Sequence, residues 1–253
     1  MSRVATDPAI FQDAKCDSCR LSTLCFPDKL DAGDTSSFDR IVMHRRPMAR
    51  GTHLFRSGDP FDSIYVVRSG AVKSTMVTTD GQEYVLNLYL AGEVIGLNAI
   101  DNDCYPTTAV ALDTTAVCEI PYQQLQQLGR DIPGLQQVLV KLISKELLIE
   151  QEMTLAIAKR SARERVAIAL VKLALRTGGE AAPATRFRLP MSRRDLSNYL
   201  GLAPETTSRL FRGLEEQAII AIDERDIILL DVPQLYALAH VPLPGQAAAR
   251  RRA

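Results

Sequence analysis

The 253-residue chain has no net formal charge, its 30 Lys and Arg being balanced by 30 Asp and Glu. Attraction to nucleic acid therefore cannot come from the total and has to come from how the cations are distributed. No apolar run approaches the roughly 18 residues a membrane helix needs, and the opening MSRVATDPAIFQDAKC lacks the charged-then-apolar order of a secretory signal. The expected location is the cytoplasm, with no membrane partner. Histidine is scarce: His44, His53 and His240 are the only imidazoles, and none sits in a haem-holding motif. There is no Gly-rich phosphate loop after a strand, no catalytic-triad pattern and no His-Glu-x-x-His signature, so the chain is not expected to be an enzyme.

Cysteine is also sparse, five in all, but three of the five are crowded into CDSCRLSTLC as Cys16, Cys19 and Cys25. In a reducing compartment such crowding makes a poor disulfide framework and a good metal or redox site. Three thiolates in a C-x2-C-x5-C arrangement can wrap one soft centre, zinc or an iron–sulfur cluster being the suitable choices, and a fourth ligand must come from elsewhere. The candidates are Cys104, in the loop-like Asp101–Pro106 stretch, and Cys118, which by strand periodicity shares a face with Ala116 and Ile120 and reads on that ground as a buried core thiol.

Between Gly51 and Gly96 short extended pieces (Thr52–Phe55, Ser63–Arg68, Ala71–Val77, Tyr84–Tyr89) are separated by Ser57-Gly58-Asp59, Ser69-Gly70 and Asp80-Gly81, the spacing of an antiparallel roll. From Pro133 a helical pattern runs without Gly or Pro between Leu135 and Thr177, too long for one ordinary helix, so at least two are expected. Its first part carries two apolar stripes. Leu135, Leu139, Leu142 and Ile149 suit packing on the roll. Val140, Ile143, Leu147 and Ile157, with Glu150 as a polar intruder, suit a second subunit; burial on both sides within one chain is the alternative.

After a Gly/Ala/Pro-rich break near Gly178–Pro183 the chain reads helix, turn, helix: Ser192 as N-cap, Gly201 in the turn, Pro204 at the first position of the second helix, then strand, tight turn, strand. This is a winged helix-turn-helix pattern. Glu205, Ser208 and Arg209 share a face of the second helix and can read base edges, while Thr206, Thr207 and Arg212 can touch phosphates. Six arginines (186, 188, 193, 194, 209, 212) against Asp195 and Glu205 make this stretch locally basic.

The cysteine head followed by Pro27, the stretches Leu54–Asp59, Val67–Lys73, Leu90–Gly96 and Val117–Pro121, and the helix Glu205–Leu210 together resemble the FNR-type anaerobic regulators of the CRP/FNR superfamily over nearly the whole chain. The resemblance implies an α+β protein with five segments. These are a cluster-binding segment (1–29), an antiparallel β-roll sensor domain of cyclic-nucleotide-binding type (30–131), a dimerisation helix (132–160), a winged helix-turn-helix domain (161–245) and a basic tail (246–253).

It implies a 4Fe-4S cluster on Cys16, Cys19, Cys25 and Cys118, with Cys104 unassigned, and a homodimer that binds a TTGAT-type inverted repeat while the cluster is intact. It also implies base readout by Glu205, Ser208 and Arg209, a dimer seam through Val140, Ile143, Leu147, Glu150 and Ile157, and an RNA polymerase contact at Thr79, Asp80, Gly81 and Gln82. Relatives that bind cyclic AMP carry an Arg-Ser pair after the Gly-Glu segment. Here Gly92-Glu93 is followed by Pro106-Thr107-Thr108, so no cyclic nucleotide is expected. Arg20 would place a cation beside the cluster. The rival readings are the same regulator with a structural zinc and, from another class, an iron–sulfur electron-transfer protein.

Overall fold

The computed structural model describes residues 16, 19, 21 and 25 and the stretches 30–179 and 183–244. Most of the cysteine-rich segment, Arg20, Pro27 and the basic tail lie outside the described residues. The contacts divide the chain into two compact units, Met1–Leu147 and Leu148–Ala253.

The first unit opens with helix α1 (Ala32–Asp39). It continues through strands β1 (Met43–His44), β2 (His53–Phe55), β3 (Ser63–Ser69), β4 (Ala71–Val77), β5 (Glu83–Leu90), β6 (Val94–Ile95), β7 (Thr108–Ala111) and β8 (Ala116–Pro121), then α2 (Tyr122–Asp131) and the start of α3 (Pro133–Lys159). The strands form two four-stranded antiparallel sheets, ordered β1-β8-β3-β6 and β2-β7-β4-β5. The four extended pieces expected from the sequence are β2 to β5.

Their inward residues make two cores. One is aromatic: Phe55 stacks on Tyr105 at 3.7 Å between centroids, Phe61 meets Tyr105 edge-on, and the Tyr105 hydroxyl donates to the Ser63 carbonyl at 2.6 Å. The other gathers Phe38, Ile64, Val66, Val94 and Ile120 with Leu135 and Val138 of α3, and Leu139 and Leu142 lie at its margin. Leu135, Leu139 and Leu142 of the first apolar stripe therefore pack on the roll, whereas Ile149, expected with them, falls in the second unit.

One buried charge in this unit is held by two partners. Glu119 is 8% exposed, accepts from Arg45, and accepts from the Ser63 hydroxyl at 3.0 Å. Burial pushes its carboxyl pKa up, but the hydrogen bonds from Arg45 and Ser63 outweigh this and hold it below the ordinary value. The sign follows: a depressed folded pKa adds stability above the unfolded carboxylate pKa, and that contribution is lost as pH falls through the folded value.

The tight β3–β4 connection depends on Gly70, with φ +80° and an added Cβ reaching 2.5 Å from the Thr114 carbonyl oxygen. An L-residue is strained in that conformation and the obstructing atom is backbone, so Gly70→Ala should cost at least about 2 kcal/mol. Thermal unfolding of the variant should show a midpoint several degrees lower; an unchanged midpoint would contradict the close approach.

The second unit contains the end of α3, α4 (Ala162–Gly178), β9 (Arg186–Arg188), α5 (Arg193–Tyr199), α6 (Pro204–Glu216), β10 (Ile220–Asp223), β11 (Asp226–Leu229) and α7 (Val232–Ala239). The break expected within the helical stretch falls at Ser161, where a capping box with Glu164 starts a new helix. Helix α4 is largely buried along Val166–Val171 and forms the centre of this unit. The first half of the long helix packs with the roll, and its second half, which falls in the C-terminal unit, is largely exposed apart from Met153 and Ala156.

Candidate metal centre and nucleic-acid interface

Cys16, Cys19, Cys25 and Cys118 line one pocket. Local hydrogen bonds shape the head: Cys19 N–H donates to the Cys16 carbonyl at 3.2 Å and Cys25 N–H to the Leu21 carbonyl at 2.9 Å. It is tied down from α1, where Asp39 Oδ1 accepts from the Cys16 N–H at 2.9 Å. Cys118 arrives on β8, half-buried. It is not the enclosed core thiol that strand alternation suggests: it lines the pocket with the head cysteines. Leu21, Phe38, Val42, Val66 and Ile120 make the rest of the lining apolar, with His44 and Arg68 as the polar exceptions.

Burial, then the hydrogen bond and charge of Asp39, then the neighbouring Cys25 and Cys118, push the Cys16 thiol well above its usual range. Burial pushes Cys118 up to about 11, partly countered by Arg68. A thiophilic cation binding there would displace the thiol protons, since the ligand to a soft metal is the thiolate. Among the described residues no three His, Cys, Asp or Glu side chains stand at ready-made metal-binding spacing. The four soft donors nevertheless share one apolar pocket, which suits an iron–sulfur cluster or a tetrahedral zinc. Cys104 is exposed, in the loop bridged to Pro60, and is not part of that lining.

Sequence reading missed two neighbours of these thiols. Asp39 and His44 lie 23 and 74 residues from the cysteines they touch, and only the fold brings them there. Burial first, and then Arg68, holds His44 below its ordinary pKa.

In the second unit Ser192 Oγ accepts from the Asp195 N–H at 3.0 Å and caps α5, Gly201 turns the chain at φ +61°, and Pro204 opens α6. Arg165 of α4 donates to the Leu200 carbonyl at 2.8 Å and fixes that turn. Glu205, Ser208, Arg209 and Arg212 are exposed on α6. Ser208 Oγ donates to the Pro204 carbonyl at 3.0 Å, and the Arg209 guanidinium donates a long, exposed hydrogen bond to Thr206 Oγ1 at 3.4 Å.

Three expectations need correction. Thr207 is fully buried with its hydroxyl on the Ala203 carbonyl, so it packs α6 and cannot reach a phosphate; Thr206, one position round the helix, is half-exposed. Arg186 is bonded to Asp226 at 2.8 Å and Asp223 at 3.1 Å on the wing. Arg193 lies over the Phe211 ring at 3.4 Å, and burial lowers its pKa. The basic surface therefore comes from Arg188, Arg194, Arg209 and Arg212 rather than from all six arginines.

On α3, Val140 is 66% exposed and Leu147 is 54% exposed, with Ile143, Glu150 and Ile157 also exposed. Leu148 and Leu155, which the stripe reading omitted, are exposed as well. Thr79–Gln82 forms an exposed turn closed by the Gly81 N–H to the Thr78 carbonyl at 2.8 Å. No helix among the described residues is long and apolar enough to cross a membrane.

Residues 45–131 match the cyclic nucleotide-binding domain and residues 164–238 the Crp-like helix-turn-helix domain. The transcriptional activator protein Anr of Pseudomonas aeruginosa is 42% identical over 232 residues, covering 92% of this chain and 95% of that protein. The fumarate and nitrate reduction regulatory protein of Vibrio cholerae is 38% identical over 226 residues, with 89% and 90% covered. Among solved structures, FixK2 from Bradyrhizobium japonicum superposes with a TM-score of 0.72 at 28% identity, covering 78% of this chain and 97% of that one. With a β-roll, a winged helix-turn-helix and relatives of this identity spanning nine-tenths of its length, the chain belongs to the FNR-type branch of the CRP/FNR family of DNA-binding transcription regulators.

Proposed function

We propose that the protein is a cytoplasmic, oxygen-responsive regulator in which Cys16, Cys19, Cys25 and Cys118 hold a 4Fe-4S cluster. The cluster-loaded form is a homodimer that binds a TTGAT-type inverted repeat in double-stranded DNA. The observation that carries this reading is the convergence of the head thiols and the β8 thiol on one pocket. Bound there, a cluster supplies an oxygen-labile link between the head and the roll. Asp39 holds the Cys16 backbone, and the apolar lining keeps water from the sulfurs. Zinc on the same thiols is the second reading, favoured by the donor set alone. Protein purified without air should be brown and contain iron and acid-labile sulfide; a colourless protein with one zinc per chain would select the second reading.

Glu205, Ser208 and Arg209 are proposed to read bases, with Thr206 and Arg212 on phosphates. Two-fold symmetry would present two copies of α6 to half-sites about 34 Å apart, which is why an inverted repeat is expected. The turn Thr79–Gln82 is proposed to meet RNA polymerase; its exposure supports this. A cyclic nucleotide is not part of the proposal, since no arginine or lysine lies between Gly96 and Thr108 to hold its phosphate.

The exposed stripe Val140, Ile143, Leu147 and Ile157 is proposed as the dimer seam, with Glu150 within it. On a two-fold seam Glu150 faces its own copy, and repulsion plus desolvation leaves the helix pair poised near dissociation. Glu150→Ala should then tighten self-association of air-exposed protein on the order of tenfold. Analytical ultracentrifugation measures this directly, and equal or weaker association in the variant would contradict the seam.

A further inference from the structure

Two side chains in the thiol pocket are neither cysteine nor apolar, and the proposed ligand set leaves both without a task. His44 is the direct cross-strand partner of Cys118 in the β1–β8 pair, and its Nδ1 stands 3.4 Å from Cys118 Sγ. Arg68 falls where the β3–β8 register skips, Val67 facing Val117 and Ser69 facing Ala116. Such a bulge re-aims a side chain, and here Arg68 lines the pocket, near enough to bias the charge of both His44 and Cys118.

We propose that His44 is a positioning residue for the metal centre: its Nδ1–H donates to the Cys118 sulfur, orients the strand-borne ligand and draws charge from the thiolate. Arg68 adds a fixed positive charge on the same wall. A hydrogen bond to a ligating sulfur weakens the metal–sulfur bond slightly and makes the centre harder to oxidise. In this chain the donor comes from a pairing of only two residues, so the short strand β1 has a chemical task as well as a structural one.

The inference rests on the cluster reading, and metal content separates the two. Full-length wild type, His44→Ala and His44→Asn are purified without air and analysed for iron, zinc and sulfide. Resonance Raman spectra then report the iron–thiolate stretching bands, and visible absorbance follows cluster loss after mixing with air-saturated buffer. Circular dichroism confirms that each variant is folded. His44→Ala should move the iron–thiolate bands to higher frequency and lose the cluster on the order of tenfold faster in air. His44→Asn, whose side-chain N–H lies where Nδ1–H does, should recover both. Bands and decay unchanged in His44→Ala would overturn the proposal, as would His44→Asn behaving no better than His44→Ala. Zinc without sulfide in the wild type would overturn the cluster reading itself.

Discussion

Cys118→Ser should remove essentially all cluster iron from protein purified without air, while Cys104→Ser should leave iron content and visible absorbance at the wild-type level. The two cysteines differ in place rather than in chemistry. Cys118 sits on β8 and lines the pocket with Cys16, Cys19 and Cys25, whereas Cys104 is exposed in a loop outside that lining. Serine keeps the size of the side chain but offers a hard oxygen with little affinity for a soft centre. With three head ligands left, the bond that ties the head to the roll is gone. Retention of the cluster by Cys118→Ser together with its loss from Cys104→Ser would reverse the assignment.

The second large effect concerns α6. Arg209→Ala should cut discrimination between the inverted repeat and a scrambled duplex by roughly 1–3 kcal/mol per half-site, the worth of one good bidentate base contact. The guanidinium is exposed and only loosely held by Thr206, so little must be broken before it grips a guanine edge. Arg212→Ala should instead weaken both duplexes alike and lower the slope of log K against log salt by about 0.9 for each phosphate it no longer neutralises. Titrations at several salt concentrations separate the two variants. Equal weakening of both duplexes by Arg209→Ala at matched salt would remove it from base readout.

Features set by neighbours in sequence were legible before the fold was known. Ser192, Gly201 and Pro204 mark helix ends and a turn by local backbone chemistry, and each does so in the structure. The strands of the roll were readable because Gly-containing turns punctuate them. Three of the four residues of the first apolar stripe, Leu135, Leu139 and Leu142, were readable because helical spacing fixes a face; Ile149 falls in the second unit.

What escaped depends on partners far along the chain. Arg186 counts as a free cation until β9 and β11 pair and bring Asp226 to it. Arg193 counts as surface until α6 sets Phe211 beneath it. Thr207 sits on the face of α6 that packs inward, one step from the exposed Ser208, and a polar residue gives no sign of that. His44 had no motif of its own, because its partner is the cysteine across the sheet rather than a residue nearby. Cys118 was legible only as a candidate: alternation along β8 indicates burial, and the pocket it shares with the head cysteines forms only when the chain folds.

The central claim is that an oxygen-labile centre on the four thiols controls DNA binding through dimerisation. The most direct test titrates a fluorescent inverted-repeat duplex with protein purified without air, then repeats the titration on the same preparation after exposure to air, with iron and sulfide measured at each stage. Tight, salt-sensitive binding by the cluster-loaded dimer is expected, with loss of most of that affinity as the iron and sulfide leave and the protein sediments as a monomer. Equal affinity before and after the cluster is lost, with the protein dimeric in both states, would contradict it.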